Sequence, residues 1–382
     1  MLQKKPLRTL AALLSSALML TGCGHLSSDH PHEPRELESF DEQVQARILW
    51  RTNVGDGASK TLTPAVVQNA VYAAGESSLK RLNPETGDVV WSVETGAPVT
   101  AGVGSDGLVV AVGTAKGEVE AYDSEGKFLW RTTLSSDVTI PPLVGMGRVI
   151  VRTSDTRISG FDANTGERLW HFQGQVPSLT LNTFNGLAWA PAGILSGQAN
   201  GRLLALSPEG KPVFDAVIGQ PKGITEVERL IDVVGRPWVD RELMCAAAFQ
   251  GNLVCMLSNN GRLVWSAPVS AQTGPVADNL AVYVVDSTSH VHAFNRQTGR
   301  EAWKSDLLEY RDVSAPIRVG GTLAVGDFEG VITMFNPANG TVVGRTSLSG
   351  AIKAPAAQLN YGAVFQTVEG DVAYIVQEAL TE

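Results

Sequence analysis

One short phrase decides what this chain can become. Phe161-Asp162-Ala163-Asn164-Thr165-Gly166-Glu167-Arg168-Leu169-Trp170 reads as a strand end, a tight turn and a new strand closing on a tryptophan. The phrase recurs from Leu82 to Trp91 and from Phe294 to Trp303, with shorter versions ending at Trp130 and Trp265. Aligning the tryptophan position gives Trp50, Trp91, Trp130, Trp170, Phe214, Trp265, Trp303 and Gly344, at intervals of 41, 39, 40, 44, 51, 38 and 41 residues. Four strands of about six residues with four connections of about four make roughly 40, so each repeat holds one four-stranded meander. A period of that length with four strands per unit means propeller blades.

The strands can be placed within the unit. Strand A begins after a proline (Pro64, Pro142, Pro275, Pro316, Pro355), where no ladder bond is lost. Strand B is a small or β-branched run such as Val282-Tyr283-Val284-Val285, and strand C alternates after a glycine turn, as in Gly117 to Tyr122. The Asp/Asn-x-x-Thr-Gly turn follows, with glycine free to take positive φ, and strand D carries the tryptophan. The eighth copy, from Ala351 to about Gln377, has strands A to C and then the chain ends. An orphan strand D, Arg47 to Arg51, precedes the first copy. Pairing the two closes the ring and leaves no open edge. The expectation is an all-β, eight-bladed β-propeller over residues 46–382, closed by strand 46–52.

The first 22 residues read as a signal segment. Lys4, Lys5 and Arg8 form a basic start, and Leu10 to Leu20 an apolar run too short to span a bilayer. Leu20-Thr21-Gly22-Cys23 then resembles the lipobox of bacterial lipoproteins. That resemblance implies cleavage before Cys23, lipidation (palmitate) of its thiol and, with Gly24 next, sorting to the outer membrane. Acyl chains contribute roughly 0.8 kcal/mol per buried methylene, so several of them anchor a chain stably. Residues 23–45 are rich in Ser, Asp, His, Pro and Glu and read as a lipidated flexible tether. His25, His30 and His32 read there as solvated linker.

The remaining signals mostly exclude. Net charge is −9 and becomes −12 once Lys4, Lys5 and Arg8 leave with the signal segment, which argues against nucleic acid as a partner. Gly102 to Gly107 matches G-x-G-x-x-G, but Leu108 to Val112 reads as a strand where a dinucleotide site needs a helix. His290 and His292 share one strand face and read as structural, so no metal and no cofactor is assigned. Cys245 and Cys255 flank the Gln250-Gly251 turn, and whether they pair depends on a register the sequence does not set.

Function is expected where the repeats are interrupted. From the tryptophan position to the next strand-A proline takes 10 to 14 residues in most copies, but 23 from Phe214 to Pro237. The connection from Trp170 to the strand near Leu187 is also long. Both are D-to-A connections of consecutive blades, so they emerge on one face as neighbours. They hold Leu179, Leu181, Ile224, Leu230 and Ile231, apolar residues without a place in a blade. Such a cluster rimmed by charge suits a protein partner, or else it folds back as a plug over the channel.

The tryptophan phrase itself resembles the repeat of the pyrroloquinoline-quinone enzyme propellers, but the chain is shorter than those enzymes and has no adjacent cysteine pair. With the lipobox, the acidic propeller and the segments Val176 to Leu181 and Thr225 to Val233, the whole mature chain resembles the BamB family. That family is the lipoprotein subunit of the outer-membrane β-barrel assembly (BAM) machinery. The resemblance implies a non-catalytic scaffold, lipid-anchored in the outer membrane and facing the periplasm, that binds the POTRA domains of BamA. It implies Leu179, Leu181 and Asp232 as contact residues, and Asn182, Ile224, Glu226, Arg229 and Leu230 of the same two connections are expected to bind the partner with them. Asn182 and Val234 depart from the family pattern, where an arginine and a second aspartate stand. Asp232-Val233 also precedes strand A as Asp137-Val138 and Asp312-Val313 do, so Asp232 doubles as a repeat turn residue. Unfolded outer-membrane proteins are further possible partners, as strands added to blade edges. The alternative is a periplasmic quinone- or metal-dependent propeller enzyme.

Overall fold

The computed structural model describes residues 32–56, 62–174, 181 and 185–380, and Pro34–Glu382 form one compact unit. Every regular element in the described residues is a strand, and the strands form eight four-stranded antiparallel sheets. Seven blades are meanders of consecutive strands, over residues 65–94, 99–133, 143–173, 187–217, 233–268, 276–305 and 317–347. The eighth joins three C-terminal strands to Val44–Asn53, which pairs antiparallel with Asp371–Ala379 from Val44↔Ala379 to Asn53↔Asp371. The two ends of the unit thus close one sheet, as the repeat arithmetic requires.

Burial falls from the middle of a blade to its rim. The B strands Ala70–Ala74, Val109–Thr114 and Leu243–Ala248 are buried at every residue, because each blade stacks on two neighbours. Small and β-branched side chains suit so narrow a wedge. The D strands Val89–Glu94, Arg168–Gln173 and Pro212–Val217 alternate exposed and half-buried, as edge strands with one covered face do. The A strands of all eight blades line one central channel of about 1010 Å³. The Gly102-to-Gly107 segment is a hairpin here: Asp106 Oδ1 accepts the N–H groups of Leu108 and Val109, and the strand Val109–Thr114 follows.

The tryptophans latch each blade to the next. Trp50, Trp91, Trp130, Trp170, Trp265 and Trp303 each donate the indole N–H to a carbonyl in the following blade's C–D turn, at 2.7–2.9 Å. For Trp130 the acceptor is Ala163, and its ring covers Gly166, whose φ is +72°. A Cβ there would lie 2.5 Å from that ring, so both backbone conformation and space demand glycine. Phe214 covers Gly261 in the same way without a polar handle.

Gly344 breaks the pattern for a topological reason. The blade it faces draws its C and D strands from opposite chain ends, so it has no C–D turn to receive a tryptophan. A Cβ on Gly344 would instead meet the Val44 carbonyl oxygen at 2.9 Å.

The segment from Pro34 to Gln43, assigned to the tether by composition, is packed rather than free. Arg35 N–H donates to Glu309 O and Gln43 N–H to Val343 O, both at 2.9 Å. Leu37 and Phe40 pack on the apolar cluster between blades 6 and 7, and the Arg345 guanidinium lies 4.8 Å above the Phe40 ring. Two large apolar residues in a polar stretch suffice to dock it.

Cys245 and Cys255 are direct cross-strand partners in blade 5, fully buried, with Cα atoms 4.2 Å apart, and are joined by a disulfide.

Candidate partner-binding site

In an antiparallel meander with strand A innermost, the D-to-A connections and the B–C turns share one face. The second long connection, residues 218–232 between blades 4 and 5, lies there. Leu179, Asn182 and Cys23, the residue expected to carry lipid, fall outside the described residues. Leu181 and residues 218–232 are described.

The second connection builds its own support. Thr225-Glu226-Val227-Glu228 is a capping box: Glu228 N–H donates to Thr225 Oγ1 at 3.2 Å, while Glu228 Oε2 accepts the N–H groups of Thr225 (3.0 Å) and Ile224 (2.9 Å). These two N–H groups hold the Glu228 carboxyl below its usual range. Arg229 N–H then reaches Thr225 O at 3.0 Å, completing a single helical turn. From blade 5, the Gln250 amide nitrogen donates to Glu228 O and Leu230 O, at 2.9 and 3.2 Å.

That turn stands out from the face. Ile224 is 95% and Val227 67% exposed, with Glu226 and Arg229 also exposed beside them. Leu230 is half-buried. Ile231 is buried at the base, its side chain against Gly201, Gly219 and Gly251. An apolar pair left in water on an ordered turn is the informative feature of this surface.

Asp232 takes a different place from the one its segment implies. It is 2% exposed, and its Oδ2 accepts the Leu181 N–H at 2.5 Å. Burial raises its carboxyl pKa, opposed by that N–H and by the charge of Arg152. Asp232 is therefore an internal tie between the two connections, not an exposed contact. Its backbone keeps the repeat role: Asp232 O accepts Phe249 N–H as Asp137 O accepts Ser154 N–H. Leu181 is likewise half-buried, packed on the apolar cluster of blades 5 and 6 with Trp238 and Phe249.

The plug alternative fails for the second connection, because the channel wall is formed by the A strands and residues 218–232 are not part of it. Part of its extra length lies in strand A itself. Val233–Val239 starts before Pro237 and carries a bulge between Val234 and Trp238, where Gly235 at φ +68° passes against Gly274. Val227 and Glu228 were absent from the expected contacts, although the T-x-x-E spacing and the Ile224 to Val227 step signal both.

Asp232→Ala is expected to free the first connection. It leaves a buried N–H unmatched and removes the charge facing Arg152, at a cost of about 1–3 kcal/mol. Hydrogen exchange at the Leu181 amide should quicken, while the C–D turn amides keep their protection.

The model of the family described as outer membrane protein assembly factor BamB matches residues 75–305. The assembly factor BamB of Bordetella pertussis is 37% identical, covering 96% of each chain. That of Burkholderia pseudomallei is 36% identical, covering 90% of this chain and 91% of its own. The crystal structure of BamB from Moraxella catarrhalis superposes with a TM-score of 0.80 at 27% identity, covering 87% of this chain and 99% of that one. A quinohemoprotein alcohol dehydrogenase from Comamonas testosteroni reaches 0.69 at 14% identity, covering 87% and 76%, which is a likeness of fold alone. The chain belongs to the BamB family of outer-membrane protein assembly factors.

Proposed function

We propose that this protein is a non-catalytic subunit of an outer-membrane protein assembly complex, held to the outer membrane by lipid on Cys23 and facing the periplasm. Its working surface is the face carrying the two long connections, and its partner there is the periplasmic POTRA region of BamA. The observation that carries this reading is the capping-box turn. A rigid turn holds Ile224 and Val227 in water at little further ordering cost, which is how a binding surface is prepared before its partner arrives. Glu226 and Arg229 form a charged rim around the pair, as at the edge of a protein interface. The Asp232 tie keeps the first connection in register with the second.

Pulldown of BamA periplasmic domains by wild type and by Ile224→Asp/Val227→Asp tests the reading. Both side chains lie largely in solvent, so the variant keeps its thermal midpoint. Recovery should fall at least about tenfold, equivalent to about 1.4 kcal/mol or more. Undiminished recovery by a folded variant removes this turn from the interface.

A further inference from the structure

On the same face, the B–C turn of blade 6 gathers two histidines in a cluster around its turn aspartate, Asp286, where the matching turn of blade 7 pairs its aspartate, Asp327, with Arg311. His292 Nε2 lies 3.0 Å and His290 Nδ1 3.2 Å from Asp286 Oδ2. The three side chains are 9, 12 and 14% exposed, and their converging atoms lie within 4.8 Å of one another. Glu301 and Glu309 complete it from outside, at 2.6 Å from His292 Nδ1 and 3.3 Å from His290 Nε2.

The hydrogen bonds fix which atoms face inward. Asp286 Oδ1 is fully engaged, accepting Thr288 N–H (2.9 Å), Thr288 Oγ1–H (2.7 Å) and His290 N–H (2.9 Å). This leaves Oδ2 as the oxygen that faces the two imidazole rings. Glu301 Oε1 faces the outer nitrogen of His292, Nδ1, and Glu309 Oε1 the outer nitrogen of His290, Nε2. The two inner nitrogens, His292 Nε2 and His290 Nδ1, both point at that oxygen. The Thr288 hydroxyl, 3.0 Å from His290 Nδ1, has already given its proton to Asp286. Two ring nitrogens and one carboxylate oxygen thus converge on one small polar space, where a divalent cation can replace the ring protons as the group that holds them together.

We propose that Asp286, His290 and His292 form a binding site for a zinc-like divalent metal ion, with Glu301 as the carboxylate that orients His292. Two imidazole nitrogens and one carboxylate oxygen are a donor set suited to zinc. Ligand bonds of about 2.0 Å in a tetrahedron place neighbouring donor atoms about 3.3 Å apart, close to the two separations found here. A carboxylate on the far nitrogen of a ligating histidine sets its tautomer and raises its basicity. The residual exposure admits water to the remaining coordination. The bound ion would join both ends of the turn, tightening blade 6 beside the proposed docking face.

The test uses the full mature chain stripped with chelator and titrated with zinc chloride against a chromophoric competitor. A companion variant, His25→Ser/His30→Ser/His32→Ser, separates binding by the N-terminal histidines. One equivalent should remain in that variant. His290→Ala/His292→Ala should weaken that equivalent at least about hundredfold, and Glu301→Gln about 10–100-fold. Imidazole ¹⁵N spectra of the unsubstituted chain provide a readout that no misfolded variant can confound. Zinc should shift His290 Nδ1 and His292 Nε2. Doubly protonated rings that do not respond to zinc, or an equivalent unaffected by His290→Ala/His292→Ala, overturn the assignment.

Discussion

Trp130→Ala is expected to cost about 3–5 kcal/mol, lowering the thermal midpoint by several degrees, although the residue is remote from every candidate site. Trp130 is 6% exposed and lies within the apolar cluster of blades 2 and 3, with Phe161, Ala163 and Val149. Its removal opens a cavity at an interface between blades, where neither sheet can collapse without losing its own ladder. It also strips the Ala163 carbonyl of its indole donor. Trp130→Phe separates these contributions. It keeps a ring over Gly166 and loses one hydrogen bond, so about 0.5–1.5 kcal/mol should be lost. Phe214 over Gly261 shows that the position accepts phenylalanine. Equal losses for both variants would mean that the hydrogen bond, not the packing, holds the blades together.

Arg311→Ala should be comparably severe, at about 3–5 kcal/mol, for an electrostatic reason. The Arg311 side chain is 4% exposed and Asp327 1%, joined Nε to Oδ2 at 2.8 Å, and Arg311 also engages Glu329. Its Nη1 donates to Arg35 O at 3.1 Å, and its guanidinium lies 5.0 Å from the Phe328 ring centre. One cation therefore holds the B–C turn of blade 7 and the N-terminal segment together. Removing it leaves the Asp327 carboxylate buried without its partner, the expensive half of a broken pair. Arg311→Met/Asp327→Leu removes both charges and should recover most of the loss in denaturant unfolding. If the double variant is no better than Arg311→Ala, the cost lies in packing rather than in the orphaned charge.

The architecture was legible because it rests on a repeat whose members obey one local rule: aspartate or asparagine, then glycine, then a ring. Trp91, Trp130 and Trp303 mark blades because each needs the next blade's glycine turn, a constraint visible in one chain. Gly344 was placed by spacing alone, and its identity makes sense only once ring closure removes the turn it would cover. The docked segment from Pro34 to Gln43 was not legible, since Leu37 and Phe40 carry no periodicity and their pocket is built by residues from Ala281 to Val342, near the other end of the chain. In the second connection, sequence located the loop but not its inside and outside. Asp232 and Ile224 are eight residues apart in one segment, yet one is 2% and the other 95% exposed. That difference depends on the Leu181 N–H and on the capping box, and only the second is a local pattern.

The docking face can be tested directly by photo-crosslinking in intact cells. One arm places the crosslinker at Ile224, on the face of the long connections. The other places it at Tyr361, an 86% exposed residue in an A–B turn of blade 8, on the opposite face. Both positions lie largely in solvent, so neither substitution disturbs the fold. The account predicts a crosslink to BamA from position 224 and none from position 361. A crosslink from 361 with none from 224 would place the partner on the wrong side of the ring and contradict it.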